Sequence, residues 1–207
     1  MAPAPRWSRA TVEGPFPITL ADLGPLNQVF SDAFTERYRR DGLVGVRVPY
    51  LNPAIWRYAI EDAAGGAMLW RDERGAIAAF NIAHRSGIEG WMGPLAVRPD
   101  AQDGGIGKRI VREGRAWLEE QGATTIGLET MPRTMDNIGF YSALGFEPGR
   151  LTITLTLAGA TAERQGLLLG RLRPAERAGW IAECARLADR IRPGYDFSRE
   201  IELTDEL

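Results

Sequence analysis

Apolar side chains recur along this chain in two alternating rhythms, one of helices and one of strands. Leu20, Leu23, Leu26, Val29, Phe30 and Phe34 fall at helical spacing and predict a first helix over about 20–34, with Pro25 interrupting its first turn. Asn52-Pro53 reads as a helix start, an N-cap residue followed by proline at the first helical position. Ile55, Trp56, Ala59 and Ile60 mark one face of that second helix, which should end near Gly65-Gly66.

The rhythm then changes to that of strands. Residues 67–70 and 76–83 read as two strands around a polar turn at 71–75, and a second turn at Arg85-Ser86-Gly87 leads to a strand over 91–97. A strongly amphipathic helix follows from about 105 to 121, with Ile106, Ile110, Val111, Trp117 and Leu118 as its apolar stripe. Arg109, Arg112, Glu113, Arg115, Glu119 and Glu120 are expected on its solvated side.

Residues 124–130 form the next strand, Thr134 is the N-cap of a short helix that Gly145 ends, and 151–157 alternates as a half-exposed strand does. Residues 1–17, rich in proline, read as a loose or extended arm. Helices and strands in this order predict a mixed α/β layer over residues 1–158.

From residue 159 the texture changes, and 159–207 reads as an appended C-terminal extension. Its one helix, opening at Arg173-Pro174, aligns Trp180, Ile181, Cys184, Leu187, Ala188 and Ile191. That stripe would cap the domain, begin a second domain, or pair with another copy of the chain as a homodimer.

Composition narrows the function. A net charge of -2 gives no basic balance of the kind nucleic-acid binders show. Cys184 is the only cysteine, so no disulfide within the chain is available. The first residues, Met-Ala-Pro-Ala-Pro-Arg, do not read as an apolar h-region, and no apolar run reaches about 18 residues. A cytoplasmic protein free of the membrane is therefore expected. His84 is the only histidine, which excludes a zinc site built on several histidines, and no metal is expected.

The segment Leu95-Ala96-Val97 through Gln102, Asp103, Gly104, Gly105, Ile106, Gly107 and Lys108 carries the clearest chemistry. A strand, a glycine turn and a helix start place bare backbone N–H groups where they grip phosphate. The segment is neither a Walker loop nor a Rossmann fingerprint, because neither spacing occurs. Gln102-x-x-Gly105-x-Gly107 between strand and helix resembles the acetyl-coenzyme A site of the GNAT N-acetyltransferase superfamily. Asn137-Ile-Gly-Phe-Tyr141-Ser-Ala-Leu-Gly145-Phe146 is similar to that family's Asn…Phe-Tyr…Gly-Phe segment. The likeness spans roughly residues 17–157.

The resemblance implies a GNAT-like fold, a central mixed and mostly antiparallel sheet flanked by helices. It implies acetyl transfer from acetyl-CoA to a primary amine, on a small molecule or a peptide, by direct attack in a ternary complex. The amides from Gln102 to Lys108 would cradle the coenzyme pyrophosphate, and the backbone of Leu95, Ala96 and Val97 would pair with its pantetheine arm. Asn137 would hydrogen-bond the pantetheine, and Tyr141 would protonate the departing thiolate. Asn137 and Tyr141 are four residues apart, hence one turn apart on a single helix face.

Two positions depart from the family pattern. Asp103 places a carboxylate beside the expected phosphates, at a cost of about 1 kcal/mol when exposed. Gly104 fills a slot that is often Arg or Lys. Lys108, Arg109 and Arg112 are the cations that would offset Asp103. The general base is open between Glu89 and Glu129, with His84 a third candidate, and partial burial of Glu129 is expected to raise its pKa. The acceptor pocket would lie along residues 34–51, with Tyr38, Arg39, Arg40, Asp41 and Tyr50. The alternatives are a non-catalytic ligand-binding module of the same fold, with Asp103 as its clue, and an interaction protein docking through the Trp180–Ile191 stripe.

Overall fold

The computed structural model describes residues 11–102, 104–130, 135–150 and 168–204. They fall into two compact units, one ending at Glu129 and the other starting at Thr130. The predicted boundary at 158/159, the N-cap Thr134 and the strand over 151–157 lie outside the described residues.

The first unit is built on five strands in the order of the chain. β1 (Val12–Pro17), β2 (Ala67–Asp72), β3 (Ile77–Ser86) and β4 (Glu89–Val97) pair antiparallel in succession, and β5 (Thr125–Leu128) lies parallel to β4. The switch of direction follows from the connection: β4 reaches β5 through the helix α3 (Ile106–Glu120), whereas short turns join β2 to β3 and β3 to β4.

β1 corrects the expectation of a loose arm. Its glycine and prolines hide the strand signal, yet Val12 and Glu13 pair with Asp72 and Arg71, and Phe16 and Pro17 with Leu69 and Met68. The register shifts between Glu13 and Phe16 and spares the prolines a central place, as an edge strand allows.

Helices cover both faces. α1 (Leu23–Arg40) runs well past the predicted end at 34, because its last turns are held by ion pairs of Arg39 and Arg40 with Glu36 and of Arg37 with Asp41. Pro25 sits in the first turn, where a missing N–H breaks no helical bond. α2 (Pro53–Ala63) begins as expected, with the Asn52 side chain accepting from the Ala54 N–H at 2.9 Å. Leu26, Val29, Phe30 and Trp56 from these helices meet Leu69, Phe80, Ile82 and Ala96 of the sheet in one core. On the opposite face, Ile106, Ile110, Val111 and Leu118 of α3 are buried.

The connection from α1 to α2 is strapped to α1. Asn27 holds Leu51 through two hydrogen bonds of 2.9 Å, Ser31 donates to the Val48 carbonyl, and the Val48 N–H donates to Thr35 at 3.0 Å. Polar positions on a helix that the pattern alone leaves to solvent thus shape the loop of the expected acceptor pocket.

The second unit holds α4 (Met135–Ser142), α5 (Pro174–Ile191) and α6 (Ser198–Leu203). Gly145 has φ +89° and ends the α4 turn, with the Phe146 N–H donating to the Tyr141 carbonyl at 3.1 Å. On α5 only Ile181 of the predicted stripe is buried, while Trp180, Leu187 and Ile191 are exposed. No helix among the described residues is long and apolar enough to cross a membrane.

Candidate active site

β4 outlasts its neighbour. β5 pairs with it from Glu89–Thr125 to Met92–Leu128, while β4 continues to Val97 against β3. Beyond Met92 the sheet therefore opens along the β5 side of β4. The Arg98 N–H donates to the Ala78 carbonyl at 2.8 Å. Peptide directions alternate along a strand, so Ala96 faces β3 while Leu95 and Val97 face the opening. Of the three residues predicted to line the coenzyme, two present their backbone groups to the open side and Ala96 does not.

The turn that follows is anchored at both ends. Arg98 binds Asp72 at 2.7 Å, Asp100 at 2.5 Å and the Ile77 carbonyl at 3.0 Å, and the first of these contacts holds the Asp72 carboxyl below its ordinary pKa. Gln102 folds back so that its Nε2 donates to the Val97 carbonyl at 3.0 Å. Asp103 lies outside the described residues.

Gly104 and Gly105 are exposed, and Gly105 caps α3 with φ +83°, a left-handed conformation that L side chains rarely adopt. An added Cβ at Gly105 would meet nothing within 4 Å, and one at Gly104 only the Ala101 carbonyl at 3.9 Å, so the approach to the backbone is clear. Among the described residues no side chain caps the helix. The N–H groups of Ile106, Gly107 and Lys108 belong to its first turn and have no helical partner, which suits them to an anion. Buried Ile106 fixes this turn to the core, and Lys108 and Arg112 are exposed.

Arg109 departs from expectation. Its side chain is 41% exposed but not a spare cation: its guanidinium donates to the Val12 carbonyl at 2.8 Å and to that of Gly14. The helical pattern identifies the charge but not a partner in β1, nearly a hundred residues earlier in the chain. Of the three cations expected to offset Asp103, this leaves Lys108 and Arg112.

The carboxylates occupy opposite ends of the β4–β5 ladder. Glu89 is buried at its closed end, with the Trp91 indole N–H donating to it at 3.4 Å. Trp91 lies across Gly127 of β5, whose missing side chain leaves room for the ring, and His84 is its partner on β3. Glu129 follows β5 at the open end and is exposed, so the expected partial burial is absent. Of the expected acceptor charges, Arg39 and Arg40 are both bound to Glu36, whose carboxyl their hydrogen bonds hold down at about 2.

In the second unit, Asn137 and Tyr141 stand one turn apart on α4, as predicted. Asn137 Nδ2 donates to the Thr130 hydroxyl at 3.0 Å. Burial pushes the Tyr141 phenol up to about 12, and its ring packs edge-on against Phe140 and Phe146. Among the described residues no group of three or more His, Cys, Asp or Glu is placed to hold a metal ion.

A strand edge that opens beside a helix N-terminus agrees with comparison to known families. The model of the acetyltransferase (GNAT) family matches residues 28–146, more than half of the chain. The chain belongs to the GNAT acetyltransferase family. Solved structures of similar fold include a mutant of protein BH1408 of Bacillus halodurans, at 19% identity over 71% of this chain and 99% of that one, with TM-score 0.56. The PaiA N-acetyltransferase of Thermoplasma acidophilum, solved in complex with coenzyme A, is 15% identical over 66% of this chain and 90% of that one, with TM-score 0.53. The ribosomal-protein-S18-alanine N-acetyltransferase of Escherichia coli is 20% identical over 68% and 79%, with TM-score 0.50. At these identities the likeness is one of fold. No curated protein is a significant sequence match.

Proposed function

We propose that this GNAT protein moves an acetyl group from acetyl-CoA to a primary amine by direct attack in a ternary complex. The observation that carries the reading is the opening of β4 beside α3 within one unit. There, the outward-facing backbone of Leu95 and Val97, with the Val97 carbonyl held by Gln102, and the first-turn N–H groups of Ile106, Gly107 and Lys108 offer a strand edge and an anion cradle together. A pantetheine arm fits the first and a pyrophosphate the second. The complex of the related PaiA enzyme with coenzyme A supports the same choice of ligand.

The coenzyme supplies a thioester, and the chain's residues supply orientation and proton transfer. N–H groups on the β4 edge stabilise the charge that develops on the carbonyl oxygen as the amine adds. The amine arrives mostly as ammonium and must lose a proton first. We assign that proton to Glu129, the exposed carboxylate at the open end of the ladder, over buried Glu89 at the closed end. As the carbon–sulfur bond breaks, Tyr141 gives its phenolic proton to the sulfur; the second proton shed by the acylated nitrogen passes to solvent, from which the phenolate regains one. A phenol with a pKa of about 12 holds that proton throughout the neutral range. The acceptor amine is a small molecule or the end of a peptide.

The test is free-thiol release from acetyl-CoA across a panel of amines, including polyamines and peptides with free α-amino groups. Turnover with one class, lost in Glu129→Gln and kept in Glu89→Gln, supports the assignment. Coenzyme binding without turnover on any amine would instead favour a ligand-binding module of the same fold.

A further inference from the structure

The α3 face of the sheet contains one amide sealed from solvent. Asn81 of β3 is fully buried, its Nδ2 donates to the Ile110 carbonyl at 3.2 Å, and its Oδ1 has no hydrogen-bond partner among the described residues. Burying an amide with one pole unmatched costs stability, whereas an apolar side chain of the same shape does not. Packing alone therefore does not account for asparagine here.

Its place in the sheet does. Asn81 is the register partner of Leu95, and the next described pair is Ala83 with Met92, so β4 carries one extra residue between Met92 and Leu95. This bulge coincides with the point where β5 stops pairing and the opening begins. Asn81 and Leu95 form a pair whose peptides do not bond each other, which brings the two side chains close together.

α3 crosses the same point at Gly114. A Cβ there would collide with the Asn81 amide nitrogen and stand 3.0 Å from the Met92 sulfur. The helix backbone thus rests against Asn81 and Met92 beside the bulge, and Asn81 ties it one turn earlier at the Ile110 carbonyl. One buried amide joins the strand edge to the helix that bears the anion cradle.

We propose that Asn81 is a positioning residue for the coenzyme: acting through Ile110 and the space left by Gly114, it sets the place of α3 against the Leu95–Val97 edge. The inference rests on the acetyl-CoA reading above. Pantetheine and pyrophosphate belong to one ligand, so their two binding surfaces must keep a fixed spacing.

The experiment compares wild type with Asn81→Leu, near in shape and without the unmatched pole, and with the double variant Asn81→Ala, Gly114→Ala, which fills the vacancy with a methyl group. Three readouts are taken: melting temperature, amide exchange at Ala96, Arg98 and Ile110 to Gly114 in the ligand-free protein, and coenzyme A affinity by calorimetry. Asn81→Leu should melt no lower than wild type, exchange faster at those amides, and bind coenzyme A about tenfold or more weakly. Its KM for acetyl-CoA should rise with the KM for the amine unchanged. Should Asn81→Leu not fold, the double variant is expected to give the same exchange and affinity changes. Folded variants that exchange and bind like wild type would overturn the inference. Failure of wild type itself to bind coenzyme A would contradict the coenzyme reading instead, and unchanged exchange in the variants would then overturn this inference separately.

Discussion

The side-chain amide of Gln102 donates to the carbonyl oxygen of Val97 at 3.0 Å, closing the turn between the open edge of β4 and the start of α3. A hydrogen bond of this kind contributes about 1 kcal/mol net. Gln102→Ala should therefore weaken acetyl-CoA binding severalfold, with kcat nearly unchanged. Gln102→Glu should do more harm, because it sets an acceptor against an acceptor and brings a negative charge near the phosphates. Parallel titrations of the two variants check the order.

Gly105 and Gly104 look alike in sequence but should respond differently. Gly105 has φ +83°, where a Cβ costs on the order of 1–2 kcal/mol, so Gly105→Ala should lower both stability and coenzyme affinity. Gly104 is exposed with open space around it, so Gly104→Ala should be close to neutral in stability. Gly104→Arg should tighten coenzyme binding, and the gain should shrink as salt is added.

Arg109 bridges the first strand and the coenzyme helix through the Val12 and Gly14 carbonyls. Arg109→Met keeps much of the stem and removes the donors. It should cost about 1–3 kcal/mol in denaturant unfolding and speed amide exchange in β1 before the rest of the sheet. Lysine should restore only part of the loss, since it lacks the planar fork that reaches two carbonyls.

Tyr141 yields a prediction in pH. A free tyrosine ionises near 10.0, and burial moves this one to about 12. The unfolded chain then loses the proton first, so the contribution to stability is intact below pH 10 and falls as pH rises towards 12. Tyr141→Phe should show less of that alkaline loss. The same variant should lower kcat while leaving coenzyme affinity nearly intact; unchanged turnover would remove Tyr141 from the acid role.

Sequence pattern alone located most of the first unit, because its signals are local. Asn52-Pro53 announces α2, the apolar run of 76–83 between turns announces β3, and Gly105 with the Ile106–Leu118 stripe announces α3. What it missed depends on partners distant in the chain. β1 has no alternation to read, and its pairing with β2 emerges only once the sheet exists. Arg109 reads as solvated on a helical wheel, yet meets β1. The opposite backbone directions of Ala96 and Val97 require the register with β3. Asn81 is invisible as a positioning group until α3 is laid over the bulge.

The most direct test of the account is an equilibrium titration of the full chain with acetyl-CoA, followed by thermal or denaturant unfolding. Saturable binding is predicted, with stabilisation of about 2.7 kcal/mol at a hundredfold excess over Kd and a clear loss of affinity in Gly105→Ala. No stabilisation at millimolar acetyl-CoA would contradict it.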